Sequence, residues 1–213
     1  MNDNLLATWK FSADTSSTTL ILPDGCRDLI MREVGGERPC WFVSSLFDQS
    51  KSVSMRAGSV MTGFRLKAGV RVKKDCLLDS VVNIFPEDDE IFNCLDDFTF
   101  RNHCVEEALE CLASEVKSVA HAAARIGVSQ RTLQRLLMRE TKRSPVYWLM
   151  LARVRKAARS LSEPVPLIEI ADIFGYADQA HMSREFKHWF NISPSALRDS
   201  PEILNQLSHS GYN

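Results

Sequence analysis

Apolar residues fall at two different periods along this chain, and the change comes near residue 86. Before it they stand in short runs bounded by turn-forming residues: Leu20-Ile21-Leu22, Leu29-Ile30-Met31, Trp41-Phe42-Val43, Val60 to Leu66 and Val70-Arg71-Val72. Runs of this length, rich in β-branched and aromatic residues, predict strands. Pro23-Asp24-Gly25 lies between the first two, with proline presetting a turn and glycine accepting positive φ, so these two runs are expected to form a hairpin. Gly58, Gly63 and Gly69 separate the later runs. Pro86 followed by Glu87-Asp88-Asp89-Glu90 reads as a helix start, because acids in the first turn suit the macrodipole. That helix is expected to close the β-rich part near Leu95.

Beyond it the spacing is helical. Val105, Leu109, Leu112 and Val116 recur at intervals of 4, 3 and 4, an apolar stripe with acids opposite. Two readings of the stripe compete, core packing and a dimer seam, since a helix between two domains is a convenient place for self-association. A helix from Ser118 to Arg125 ends at Gly127, and Ser129 caps the next, Gln130 to Arg139. Ser144 caps and Pro145 opens a helix running to about Leu161, roughly 26 Å long. Ile168, Ile170, Ala171 and Phe174 then make an apolar helix, Gly175 turns the chain, and Asp178 caps the helix containing Gln179 to Lys187.

This part of the chain writes one pattern twice. Ala123 to Gly127, Ser129, Arg135 and Ser144-Pro145 return as Ala171 to Gly175, Asp178, Arg184 and Ser193-Pro194, offset by 48 at the glycine and 49 at the proline. A whole supersecondary unit is therefore duplicated. Helix, glycine turn and helix is the helix-turn-helix order, whose second helix lies in a DNA major groove. In the first copy Leu133, Leu136 and Leu137 share one side, which turns Arg131, Gln134, Arg135 and Met138 outward. Arg and Gln make bidentate hydrogen bonds to the major-groove edges of guanine and adenine, so Arg131, Gln134 and Arg135 are candidate base readers. In the second copy Met182, Phe186 and Trp189 form the buried side, and Gln179, Ala180, Ser183, Arg184 and Lys187 face outward. With fewer long hydrogen-bonding side chains, this copy is expected to read bases more loosely and to take a larger phosphate share. His181 is expected to be a packing or phosphate neighbour. Arg139 joins the DNA-contacting candidates. Arg153, Arg155, Lys156 and Arg159 on the long helix are expected to supply positive charge for phosphate between the two readers.

The charge distribution agrees with that division. Lys117 to Asp199 holds 14 Lys+Arg against 7 Asp+Glu, a balance of +7 that leaves −8 for the rest of a chain whose total is −1. Glu87 to Glu115 alone carries ten acids and one base, Arg101. Its plain reading is a solvated acidic face; a second is that it docks on the basic half and competes with DNA. No apolar run approaches the roughly 20 residues that span a bilayer, and Met1-Asn2-Asp3-Asn4 lacks the positive charge of a leader. A cytoplasmic, non-membrane protein is the expectation. The six cysteines, at 26, 40, 76, 94, 104 and 111, include no Cys-x-x-Cys pair, so they are read as reduced small hydrophobes and no metal site is assigned. Cys104 and Cys111, seven apart with His103 beside the first, leave open a metal- or redox-sensing face.

The run Ile170 to Gln179 (Ile-Ala-Asp-Ile-Phe-Gly-Tyr-Ala-Asp-Gln), with Ser183-Arg184-Glu185-Phe186-Lys187 and Ile192-Ser193-Pro194-Ser195-Ala196-Leu197-Arg198, resembles the AraC/XylS family of bacterial transcription regulators over about residues 105–199. The resemblance implies a seven-helix domain with two helix-turn-helix units. In it Arg131, Gln134 and Arg135 occupy base-contacting positions of the first unit, and Gln179, Ala180, Ser183 and Arg184 the groove-facing positions of the second. It also implies recruitment or positioning of RNA polymerase on double-stranded DNA, as an activator. One departure stands out. The family usually has glycine two residues before Ser-Pro, where this chain has Lys142 and Asn191, so the turn after the first reading helix is expected to differ in shape or carry strain. The N-terminal half is similar to a small β-rich domain found before this unit in some members, through Leu22 to Ile30 and Gly63-Phe64-Arg65, with Ala68-Gly69 where such members have Pro-Gly.

The resulting expectation is an α+β chain. Residues 1–100 form a small β-rich domain, cupin-like or a partial barrel, that senses or regulates; 101–116 form a connecting helix; 117–199 form the DNA-binding domain; and 200–213 form a tail. A small-molecule effector of the first domain and a homodimer are both compatible with this plan. No cofactor and no catalytic residue are assigned. Three rival readings stand beside this one. A cupin-like enzyme lacks histidines before His103 to hold a metal or activate Cys26. A zinc-cysteine alkyl-transfer domain needs close cysteine pairs that are absent. An architectural DNA binder would show almost equal affinity for all duplexes.

Overall fold

The computed structural model describes residues 3–35 and 37–212. Its first part is β-rich. Strands β1 (Leu5–Ala13), β3 (Arg27–Val34), β4 (Cys40–Val43) and β6 (Ser59–Leu66) form an antiparallel sheet in the order β1-β6-β3-β4. Strands β2 (Ser17–Ile21) and β5 (Lys51–Met55) form a separate antiparallel ribbon, and β7 (Arg71–Val72) pairs with β8 (Thr99–Phe100). Helices α1 (Lys74–Val81) and α2 (Glu90–Phe98) cover the four-stranded sheet. Leu29, Val43, Phe64 and Leu66 of the sheet meet Leu77, Val81, Ile91 and Leu95 of these helices in one core.

The apolar runs were legible as strands, but their pairing was not. The run before Pro23-Asp24-Gly25 does not form a hairpin with the run after it. β3 is flanked by β6 and β4, so both its edges are taken, and β2 pairs with β5 instead. Gly63 is likewise not a separator. It lies within β6 opposite Trp9, whose indole rests where a Cβ would be 2.1 Å away.

The remaining helices are α3 (His103–Ala113), α4 (Val119–Arg125), α5 (Gln130–Thr141), α6 (Pro145–Arg159), α7 (Leu167–Ile173), α8 (Gln179–Phe190), α9 (Pro194–Arg198) and α10 (Pro201–Ser208). A single 3-10 turn, Ser160–Ser162, follows α6. Trp148, Leu151 and Val154 of α6 are fully buried at the centre of a second core that every one of these helices joins. Burying one such leucine contributes about 1.5–3 kcal/mol. Val105, Leu109, Leu112 and Val116 are all among its members. The stripe, whose last member Val116 lies past the end of α3, is thus core, spent within the chain and closed to use as a dimer seam, and α3 belongs to the helical body rather than linking to it.

The two bodies are joined through Pro23-Asp24-Gly25. Gly25 has φ +74°, and a Cβ there would lie 2.7 Å from Tyr212 and 3.0 Å from Trp148. The Arg155 guanidinium donates to the Pro23 carbonyl (3.0 Å), and the Tyr212 amide donates to the Asp24 carbonyl (2.8 Å). Arg65 bridges Asp24 and Asp28, both at 3.0 Å, and reaches the Ser210 carbonyl. Gln206 of α10 donates to the Leu20 carbonyl and accepts from the Leu22 amide. Residues 200–212 are therefore a wedge between the bodies rather than a loose tail. Burial dominates the electrostatics there. It pushes the Asp24 carboxyl and the Cys26 thiol up, and takes Arg155 down to about 10. Arg65 alone of these four groups moves against its burial, upward, because the carboxylates, Asp28 foremost, together outweigh the cost of burying it.

Candidate nucleic-acid interface

The two reading units share most of their local devices, though α7 begins after Pro166 without the side-chain cap that α4 has. Ser118 caps α4 through the His121 amide, and Ser129 caps α5 through the Thr132 amide. Asp178 caps α8 through the His181 amide. Between the helices the chain makes the same C-terminal stop twice. The Val128 amide reaches the Ala123 carbonyl and the Gly127 amide that of Ala124; the Tyr176 amide reaches Ala171 and the Gly175 amide Asp172. This pair of bonds requires a left-handed residue at the glycine, and Gly127 and Gly175 have φ of +74° and +69°. The change of offset from 48 to 49 arises just here. The second turn has one extra residue, Ala177, whose amide is taken up by Nδ1 of His181 at 3.3 Å. His181 is therefore a packing residue, its ring edge-on to Tyr176.

The outward faces are as the periodicity predicts. Leu133 and Leu137 are fully buried and Leu136 partly so, while Arg131, Gln134, Arg135, Met138 and Arg139 are exposed. On α8, Met182, Phe186 and Trp189 are buried and Gln179, Ala180, Arg184 and Lys187 exposed. Ser183 is half-buried, and its hydroxyl donates to the Gln179 carbonyl. Arg139 pairs with Glu140 at its own helix end, at 2.7 Å. Ile168 departs from expectation: it is 66% exposed, as is Ile173, and Ile170 and Ala171 alone carry the buried side of α7.

The long helix α6 corrects the expectation of a phosphate-facing stripe. Arg153 pairs with Glu185 (2.6 Å) and lies over the Tyr176 ring (4.6 Å). Arg155 is 1% exposed and holds Pro23. Lys156 donates to the Ala113 carbonyl, and Arg159 to that of Leu207. All four cations are internal fasteners between helices or bodies. The reason is position: α6 runs through the middle of the core, so its cations meet carbonyls and a carboxylate before they meet solvent. Glu185 is the residue that sequence reasoning missed. An acid on a basic reading helix repels phosphate, and that mismatch was the signal that it has an internal partner.

The turns after both reading helices have the same shape. Lys142 and Asn191 each adopt the left-handed conformation, with φ/ψ of 61°/22° and 57°/17°. Ser144 and Ser193 then cap α6 and α9, each with proline in the first turn. The expected alternative of a differently shaped turn is therefore replaced by strain at Lys142, since a β-carbon disfavours αL while Asn tolerates it.

The acidic stretch does not cover these faces. Glu87 pairs with Lys10, Asp88 accepts from the Phe85 amide, Glu106 pairs with Arg101, and Glu115 lies 3.7 Å from Lys156. Cys104 is exposed while Cys111 is buried under α4, donating to the Ala122 carbonyl, so the two thiols do not share a face. Among the described residues no cluster of three His, Cys, Asp or Glu could hold a metal, and no helix is long and apolar enough to cross a membrane.

Residues 122–200 match the family model described as a helix-turn-helix domain. The uncharacterized HTH-type transcriptional regulator YidL of Escherichia coli is 37% identical over 81 residues, which are 38% of this chain and 27% of that protein. The multiple antibiotic resistance protein MarA of Salmonella typhimurium is 26% identical over 111 residues, 52% of this chain and 84% of that one. The helical part of this chain thus contains a helix-turn-helix domain and is similar to these regulators over that part. A transcriptional regulator of Chromobacterium violaceum with an AraC-type DNA-binding domain has a TM-score of 0.42 at 24% identity, over 46% of this chain and 95% of that chain. The match to YidL thus spans about a quarter of that relative. In the helical body, helices α3 to α9 match in number the seven that the resemblance implies, α5 and α8 are the second helices of its two units, and α6 joins them.

Proposed function

We propose that this chain is a sequence-specific DNA-binding transcriptional regulator that presents α5 and α8 to successive major-groove segments of one duplex. One observation carries the reading: two equally capped, equally terminated helices share a core while their Arg- and Gln-bearing faces stay exposed. In it Arg131, Gln134 and Arg135 contact base edges. Gln179, Ala180, Ser183 and Arg184 face the second groove, and Arg139 and Lys187 take phosphates. Arg153 leaves the set of DNA contacts, because Glu185 and Tyr176 occupy it. The β-rich body is the regulatory half, receiving a small-molecule effector or a second copy of the chain. RNA polymerase is the downstream partner, activation the outcome and the cytoplasm the site of action. No catalytic residue is assigned.

The test is binding of the full chain to duplexes recovered from a random pool, in competition with unselected duplex at fixed salt. A preference of about a thousandfold or more is the expected result for a specific regulator. Protection of two adjacent groove segments on one DNA face should accompany it. Nearly equal affinity for both duplexes would return the architectural reading.

A further inference from the structure

Both reading units are held from outside their own domain by one short stretch of the β-rich body. The segment Ser44–Ser50 joins β4 of the four-stranded sheet to β5 of the ribbon. Its start is fixed on β3, where the Ser44 amide donates to the Asp28 carbonyl and the Ser44 hydroxyl accepts from the Asp28 amide (2.7 Å). Leu46 is buried in the core of the helical body. From there the segment touches the exit of the first reading helix. Arg143 pairs with Asp48 (2.9 Å) and donates to the Leu46 carbonyl (3.0 Å), and the Tyr147 hydroxyl donates to the Phe47 carbonyl (3.0 Å). Its other end closes the second reading helix. The Ser50 amide donates to the Trp189 carbonyl and the Ser50 hydroxyl to that of Phe190, both at 2.8 Å.

The carbonyls of a helix's last turn have no partner within the helix. Ser50 supplies partners for two of them in α8, those of Trp189 and Phe190, while the Asn191 amide takes that of Lys187. Beneath the segment the Tyr147 and Trp189 rings meet at 5.3 Å, so it lies across the junction between the start of α6 and the end of α8.

We propose that Leu46–Ser50 is a positioning element for DNA reading, fixing the separation of α5 and α8 by holding the end of each. This rests on the reading of those helices as groove-binding. The segment touches no candidate base-reading residue, so it acts through the placement of the two helices. A shift of β4 against the β2–β5 ribbon would reach both units at once, which makes this segment the route by which the β-rich body governs spacing.

The experiment uses the full chain, its Asp48→Ala/Ser50→Ala variant, and duplexes that the unaltered chain selects from a random pool. Each duplex is tested as selected and with one base pair inserted between its two protected segments. The unaltered chain should lose affinity sharply on insertion. The variant should show a penalty smaller by about three- to tenfold, the scale set by a few hydrogen bonds. Ser50→Thr, which keeps the hydroxyl, should retain the full penalty. If the double variant loses its helical signal, the same ratio is read on Asp48→Asn and Ser50→Ala separately. An unchanged penalty in folded variants overturns the proposal while leaving the regulator reading intact. Weaker binding by the variant to duplexes holding one protected segment alone also overturns it, by assigning the segment to a single helix. Selection of no preferred duplex by the unaltered chain removes both readings together.

Discussion

The two reading units share a backbone and differ in what fastens it. Alignment through Arg135 and Arg184 sets Leu136 of the first against Glu185 of the second, and Thr141 against Phe190. The first unit closes with apolar contact and one neutral network, in which the Trp148 indole donates to Thr141 and Thr141 to the Leu137 carbonyl. The second closes with an ion pair, Glu185 to Arg153, and an edge-on Phe186–Phe190 contact. Their outer faces diverge in the opposite sense. α5 exposes Arg131, Gln134, Arg135 and Arg139, whereas α8 exposes Gln179, Ala180, Arg184 and Lys187. Duplication has preserved the caps and lengths of α5 and α8 and the left-handed turns around them, the features that fix where a reading helix lies, while side chains on either surface have been free to specialise.

The sharpest way to break this comparison is at the ion pair. Glu185→Ala leaves Arg153 beside Tyr176 without its counter-charge, and removing one partner of a well-buried pair costs about 3–5 kcal/mol. Both side chains keep some solvent contact, at 22% and 17% exposure, so about 2–3 kcal/mol is expected from urea unfolding. Leu136→Ala at the matching position, already half-exposed, should cost less, about 1–2 kcal/mol. Equal costs would mean that the units are fastened alike.

Next in size is the difference in reading. Arg135→Ala should weaken binding to the selected duplex by about 1–3 kcal/mol and relax preference at one base pair. Arg184→Ala should lose affinity with less change in preference, measured by competition among single-base variants of the duplex. Lys187→Ala should lower the slope of affinity against salt by about 1, the signature of one phosphate contact. Arg153→Ala should leave that slope unchanged, because its charge is already spent on Glu185. A fall in slope for Arg153→Ala would restore it to the DNA-facing set.

What could be read in the sequence followed from local chemistry. Ser129, Ser144, Asp178 and Ser193 act as caps, and Gly127 and Gly175 as left-handed turns, because each choice is decided within a few residues. Exposure of Arg131, Gln134 and Arg135 followed from period alone. Strand pairing did not, since β2 meets β5 some 30 residues away while both edges of β3 are taken by β4 and β6. Nor did the fate of the α6 cations: periodicity says which side a residue takes, not whether a carbonyl from residue 23 or 207 is waiting there. Pro23-Asp24-Gly25 was legible as a turn, but its role as the seat of α6 and Tyr212 needed the fold.

The smallest contrast lies in the two left-handed turns, and it isolates strain from everything else. Lys142 and Asn191 have nearly the same dihedrals, so any difference in their response to glycine reports the side chain alone. Placing a β-carbon in αL costs roughly 1–2 kcal/mol, less for Asn, whose short amide bonds locally. Glycine removes that cost but brings a more flexible unfolded chain, an opposing effect of about 0.4–1 kcal/mol. Lys142→Gly should therefore stabilise by about 0.5–1 kcal/mol, while Asn191→Gly should fall within a few tenths of zero. Thermal unfolding of the full chain measures both. Lys142 is not among the base-reading candidates, so binding to the selected duplex should change only through the loss of one exposed charge. If Lys142→Gly is neutral or destabilising, the lysine holds that turn through an interaction of its own, and the two turns are alike in shape but not in cause.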